Sequence, residues 1–289
     1  MKDKKKVNKQ GQMHQIWVRF RRRFSAMLGL VFLIILILTA IFADVLFDYN
    51  DVAIKQNIVG RFQAPCAEHP FGTDDYGRDI LARVVHGTRM SLSIGFAAVS
   101  ISLVGGILIG SMVGYYGGRL DMIVMRGIDI FMAIPALLMA MMVVAVAGTS
   151  PVTIALALGI SNIPAFTRVT RGAVLTVREK EYVEAARALG AKDHTIIFKH
   201  ILPNCFAPLL VQATISVAIN ILSVSGLSYL GMGISPPTPE WGSMLSASRT
   251  YLRDHSYMAI FPGLAIMVTI LALNLLSDGI RDASDPKLK

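Results

Sequence analysis

The chain has 289 residues, 54% of them apolar and only 16% charged, whereas a soluble domain carries about a quarter charged residues. A mean hydropathy of +0.56 and five charge-free runs of 19 to 39 residues exclude an ordinary soluble globular domain. They identify a polytopic helical membrane protein, because one span needs about 20 apolar residues. Of the formal charge of +9, the first 26 residues supply +8, so the high pI reflects a basic tail beside a membrane rather than a nucleic-acid surface.

Residues 1–26 are read as a cytoplasmic tail lying against anionic lipid. The first span is expected from Met27 to Phe47. Its apolar run is longer than the core of a cleavable signal, and Ile41 spoils the small-residue pattern before Ala43, so it reads as an uncleaved anchor. Residues 48–87 form an extracytoplasmic segment. Within it, Pro70, Gly72 and Gly77 make turns, and Ile80, Leu81, Val84 and Val85 predict a short amphipathic interfacial helix. The charges Asp74, Asp75, Arg78 and Asp79 either contact a partner or cap this local structure. The second span follows from Met90 to Tyr115. Gly106, Gly110, Gly114 and Gly118 recur every fourth residue there and mark a close helix–helix seam.

The third span is expected from Met122 to Ala147 and the fourth from Val152 to Thr170. Gly148-Thr149-Ser150-Pro151 turns the chain between them. Pro135 and Pro164 should kink these two helices. Asp129 reads as a local ion pair with Arg126 or as a transport residue. Asn162, Asn220 and Asn274 read as interhelical hydrogen bonds, and Asp44 and Asp278 as side chains reaching the interface. The fifth span runs from Ala207 to Gly231 and ends before the run Gly233 to Pro239, which cannot stay helical. The sixth runs from Tyr257 to Leu276, within a transmembrane core of residues 88–281 that leaves 282–289 as a second tail. With both termini inside, cytoplasmic segments carry 21 Lys and Arg against seven outside, as the positive-inside rule requires. Cys66 and Cys205 then fall on opposite sides and do not pair. The 15 methionines read as adaptable packing.

Signatures of chemistry are missing from the sequence. There is no Gly-rich loop before Lys-Ser or Lys-Thr, and no HExxH, CxxC or GxSxG. His194 and His200 lack ligand spacing. The chain reads as a non-enzyme that binds no metal or cofactor of its own.

The segment 173–206 stands out. From Arg178 to Asn204 it is rich in alternating charge, with a short helix expected from Glu179 to Leu189, a turn at Gly190, and a second helix from Lys192 to His200 that stops before Pro203. Such a hairpin is either a docking element or a solvated connector. The residues Glu184-Ala185-Ala186, then Gly190, then Leu202-Pro203 resemble the EAA loop of ABC importer permeases, with His200 where that pattern has Ile. The segment His69 to Leu92, containing His69-Pro70, Gly72-Thr73-Asp74 and Gly77-Arg78-Asp79, is similar to one in the C-type permeases for dipeptides and oligopeptides. This resemblance implies an all-α bundle of six transmembrane helices of the type I importer kind, in a bacterial cytoplasmic (inner) membrane. It further implies a homologous second permease subunit, two cytoplasmic ATP-binding subunits that hold ATP and Mg, and an extracytoplasmic solute-binding protein. Glu184, Ala185, Ala186, Gly190, Leu202 and Pro203 would couple to the ATPase. The cargo would be di- or oligopeptides or a small solute such as a nickel complex. The alternative is a secondary transporter or channel independent of ATP, which predicts paired broken helices in two related halves.

Overall fold

In the computed structural model, which describes residues 12–284, the basic segment ends in α1 (Gln12–Arg21) and the first span is α2 (Phe24–Ile41). The parts of the two tails before residue 12 and after residue 284 lie outside the described residues. The anchor expected to reach Phe47 ends earlier. The chain bends at Phe42 and resumes as the single turn α3 (Ala43–Leu46). Arg89 explains the break, because its guanidinium takes the carbonyls of Ala40 and Ile41 at 2.8 and 3.1 Å and the carboxylate of Asp44 at 2.8 Å. Those are acceptors that a helix end leaves open.

The second span is longer than expected. α4 runs unbroken from Ile80 to Tyr116, about 55 Å at 1.5 Å per residue. The interfacial helix at Ile80–Val85 is therefore not a separate element but the first turns of this span. Asp79 caps it, accepting from the Ala82 N–H at 2.8 Å, and a capped first turn has no reason to break from the next. Three of the four periodic glycines do form a seam. A Cβ at Gly106, Gly110 or Gly114 would stand 2.3 to 2.9 Å from Phe166, Thr167 or Val174, all on α7 (Pro151–Arg178). Gly118 faces open space and instead begins α5.

The third span is not one kinked helix. α5 (Gly118–Met132) and α6 (Ala136–Ala147) meet at 78° across a three-residue break. Pro135 removes a backbone donor and drives Ile134 out of the helical region, which ends α5 rather than bending it. The bend lays α5 across the end of α7, where Asp121 pairs with Arg171 and Asp129 with Arg168 at 2.7 Å. The partner expected for Asp129, Arg126, is displaced by this geometry. α7 opens with Ser150 accepting from the Thr153 N–H at 3.0 Å and Pro151 at its first position. It continues past the expected end at Thr170, and the buried Pro164 does not interrupt it.

After α7 comes α8 (Glu181–Ala188), then a continuous helical path. α9 (Asp193–Thr195) passes through a wide turn at Ile196–Ile201 and a tight one at Leu202–Cys205 into α10 (Phe206–Tyr229). The expected stop before Pro203 is absent, because the change from the wide turn at Ile196–Ile201 to the tight one at Leu202–Cys205 carries the chain past a residue that has no N–H to donate. α11 (Trp241–Ser248) was not foreseen, and α12 (Tyr257–Ser284) extends two turns past Leu276. Asn162 on α7 donates to Asn220 on α10 at 3.0 Å, while Asn274 and Asp278 are exposed. Among the described residues five helices are long and apolar enough to span a bilayer, and there are six if the bent pair α5 and α6 counts as one span. Among the described residues the only extended pairing is a single bridge between Thr73 and Asp79.

One buried apolar cluster joins α1, α2, α4, α7, α10, α11 and α12 around Phe166, Ile221, Trp241 and Leu273. Contacts sort the connections into two opposite ends. At the cap end, Phe62 stacks on His255, Phe71 on Phe261, and Arg83 reaches Pro237. At the hairpin end, Arg23 pairs with Asp282, and α8 lies beside the last turn of α4.

Candidate functional site

The residues that the sequence singled out lie at opposite ends of α4. At the cap end they turn inward. Thr73 donates to the Gly60 carbonyl at 2.6 Å and accepts from the Gln63 N–H at 2.9 Å. Asp74 accepts from the Tyr76 and Arg78 N–H groups and from Arg78 Nε at 2.7 to 2.9 Å. His69 Nδ1 lies 2.7 Å from Asp79. Gly77 has a φ of +72°, and a Cβ there would lie 1.8 Å from the Asn57 carbonyl oxygen. Only glycine permits that approach. Gly72 is buried in the same knot, while Pro70 is exposed. Of the two readings left open for Asp74, Arg78 and Asp79, this geometry is that of local caps.

Sequence reasoning missed the residues that tie the knot to the bundle. Arg83, 4% exposed, donates to the carbonyls of Ala53 and Pro237 at 3.1 and 3.2 Å. Glu240, 1% exposed, caps α11 through the Gly242 and Ser243 N–H groups and accepts from the Ser91 and Ser228 hydroxyls. A carboxylate in such a place is tolerated because each lone pair has a donor. Glutamate is not a favoured cap residue, so no local signal announced it.

At the hairpin end the residues turn outward. α8 buries one residue, Val183, against Ile196, Ile197, Ile201 and Cys205. That buried side chain, with Ala186 beside it, orients the arm. Glu184 and Ala185 face away and are exposed, Ala186 is half-buried, and Leu189 is 88% exposed at the tip. Glu181 and Glu184 sit in the first turn, where negative charge suits the helix dipole. The arm ends in a Schellman turn: the Ala191 N–H bonds to Ala186 O at 3.1 Å and the Gly190 N–H to Arg187 O at 3.0 Å. Gly190 takes a φ of +78°, yet a Cβ there would meet nothing within 4 Å. Its requirement is conformational and not one of space. In the second arm Leu202 is half-buried and Pro203 exposed. Of the six hairpin residues singled out, Glu184, Ala185, Gly190 and Pro203 thus face outward, while Ala186 and Leu202 pack the arms together. Among the described residues no group of His, Cys, Asp and Glu is arranged to hold a metal.

This architecture has known counterparts. A family model described as the binding-protein-dependent transport system inner membrane component matches residues 106–289. The chain belongs to this family. A second model, the N-terminal transmembrane domain of oligopeptide transport permease C, matches residues 11–65 of this permease. The dipeptide transport system permease protein DppC of Alkalihalophilus pseudofirmus is 45% identical, with 94% of this chain and 88% of that one covered. The di/tripeptide permease protein DppC of Pseudomonas aeruginosa is 40% identical over 96% and 93%. The glutathione transport system permease protein GsiD of Escherichia coli O157:H7 is 42% identical over 96% and 91%. In fold, the permease resembles the MetNI methionine ABC transporter, with a TM-score of 0.59, 19% identity, and coverage of 71% of this chain and 98% of that one. The protein is thus a multi-pass permease of the inner membrane that works with other subunits of an ABC importer.

Proposed function

We propose that this permease carries small peptides inward, driven by ATP that separate subunits hydrolyse, and that segment 173–206 is where those subunits grip it. The observation that carries the reading is the outward face of α8: exposed Glu184, Ala185 and Leu189 beside a glycine-dependent turn, with no fold requirement for their exposure. The basic asymmetry puts the hairpin end and both termini in the cytoplasm and the cap end outside. A homologous second permease would complete the path. Two ATP-binding subunits, holding ATP and Mg, would sit under the two hairpins, and a solute-binding protein would dock on the cap. Peptides are favoured as cargo because the di-, tripeptide and glutathione permeases above share at least 40% identity across more than nine-tenths of this chain. As a non-enzyme itself, the chain would alternate its access as the ATPases close and open.

The test uses the turn. Gly190→Val forces a β-branched residue into the left-handed region, whereas Gly190→Asn does so at small cost. We expect Gly190→Val to insert normally but to lose ATPase co-purification and uptake of alanyl-alanine or glutathione, whichever the parent carries. Gly190→Asn should retain most of both. Full uptake by well-expressed Gly190→Val would show that the hairpin is only a connector.

A further inference from the structure

The hairpin is gripped by one ring. Tyr115, in the last turn of α4 and 6% exposed, donates its hydroxyl to Asp193 at 2.7 Å. Asp193 opens the second arm of the hairpin. The guanidinium of Arg187, from the first arm, lies 5.4 Å from the centre of the same ring. Gly190 separates these two contacts in sequence, so a single side chain on α4 holds both arms across their turn. Arg178, at the end of α7, adds a backbone clasp by donating to the carbonyls of Gly114 and Tyr115 at 2.8 and 3.3 Å. Tyr116, the next residue of α4, also faces Asp193, and the apolar hairpin contacts centre on Val183. They fix how the arms pack on each other and tolerate sliding. A hydrogen bond to an ionised carboxylate is directional and stronger than a neutral one, and a ring under a guanidinium adds a second, independent restraint.

The far end of α4 carries the cap. Arg83 holds Ala53 and Pro237, His86 lies 2.8 Å from the Phe47 carbonyl oxygen, and Ser91 binds Glu240. One uninterrupted helix therefore joins the outer knot to the inner hairpin, and Tyr115 is its contact with both arms. We propose that Tyr115 is a positioning residue for energy coupling: through Asp193 and Arg187 it makes displacement of the hairpin into displacement of α4, and so of the cap. This inference rests on the reading of the hairpin as the ATPase dock.

Without the hydroxyl, the hairpin still folds and docks, but its second arm shifts without taking α4 along. ATP is then hydrolysed with less solute moved. The experiment is made on the assembled transporter in liposomes, with both permeases, the ATPases and the binding protein. Solute carried per ATP is measured with alanyl-alanine or glutathione, whichever the parent carries. Tyr115→Phe keeps the ring under Arg187 and removes only the hydrogen bond. We expect the ratio to fall about tenfold, the size of a hydrogen bond to a charged acceptor, with ATPase co-purification retained. Asp193→Ala should match it, and the double variant should be no worse than either, as two halves of one contact require. Asp193→Asn keeps an acceptor oxygen and should restore most of the ratio.

A parental ratio in Tyr115→Phe, with the ATPases bound, overturns the inference. So does a loss of uptake that only parallels loss of bound ATPase, since that is a structural role. Gly190→Val separates the two levels. If it transports normally, the docking reading falls and this inference with it. If it fails while Tyr115→Phe keeps the parental ratio, the dock stands and only the role of Tyr115 is lost.

Discussion

At Asp75 the outer knot holds a charge that it does not fully partner. Oδ1 is buried without a hydrogen-bond donor, and the nearest Arg78 nitrogen is 3.9 Å away. Burial, and then the Asp74 carboxylate beside it, hold its pKa above the ordinary 3.8. A raised acid favours the folded state only while protonated. This stabilisation is complete below pH 3.8 and is lost as pH rises through the folded value. Asp75→Asn should therefore raise the melting temperature of the detergent-solubilised protein by about 2 °C at pH 7, and the gain should vanish as pH falls towards 4. An unchanged or lower melting temperature at pH 7 would mean that Arg78 compensates the charge. Single residues also show how far local chemistry is legible. Gly77 and Gly190 both read as turns, and both have positive φ. That Gly77 is closed in by the Asn57 carbonyl, while Gly190 stands in open space, depends on chain packing elsewhere and has no mark in either neighbourhood.

Between elements, the α4–α7 seam is the closest approach that the periodic glycines create. Gly110→Leu would drive a side chain into the Thr167 carbonyl, 2.6 Å from where its Cβ would lie. Overpacking of this kind costs about 1–3 kcal/mol, so the membrane abundance of folded permease should drop and melting should come earlier. Gly172, in the same pair of helices on α7, has open space around it. Gly172→Ala should instead stabilise by roughly 0.5–1 kcal/mol, the helix-interior preference. Equal melting temperatures for the two variants would argue against the seam. Helices whose ends carry their own chemistry were legible: Ser150 and Pro151 start α7 where the sequence placed a start, and Gly231 closes α10 with a φ of +80°. Helices whose ends depend on distant partners were not. Pro135 signalled a disturbance, but the 78° break needed Arg168 and Arg171 to receive α5. α11 depends on Glu240 meeting Ser91, 149 residues away in sequence. The hairpin was legible as two arms about a glycine. Its anchor was not, because nothing near Tyr115 refers to Asp193.

For the whole molecule, the two cysteines report sidedness. Cys66 is exposed at the cap end, and Cys205 is buried beneath the hairpin. In cells stripped of any outer barrier, a membrane-impermeant maleimide should label Cys66 at once. Cys205 should stay unlabelled in the folded protein from either side and react only after denaturation. Protection of Cys66 in intact cells, relieved in inverted vesicles, would reverse the orientation argued from the basic residues.

The ties of Arg83 carry a consequence for biogenesis. Its two carbonyl partners, Ala53 and Pro237, flank it in sequence at very different distances, and Pro237 lies 154 residues downstream. A ribosome delivers the first partner before Arg83 and the second only after α10 has been threaded through the bilayer. Until then the guanidinium lacks its last acceptor, and the Ser91 hydroxyl waits for Glu240. The outer knot has its own local hydrogen bonds, but its tie to the rest of the bundle is completed only once residues 237–240 have been made. A chain halted before residue 237 has neither Pro237 for Arg83 nor Glu240 for Ser91, so both long-range ties between the start of α4 and the segment after α10 are missing from it.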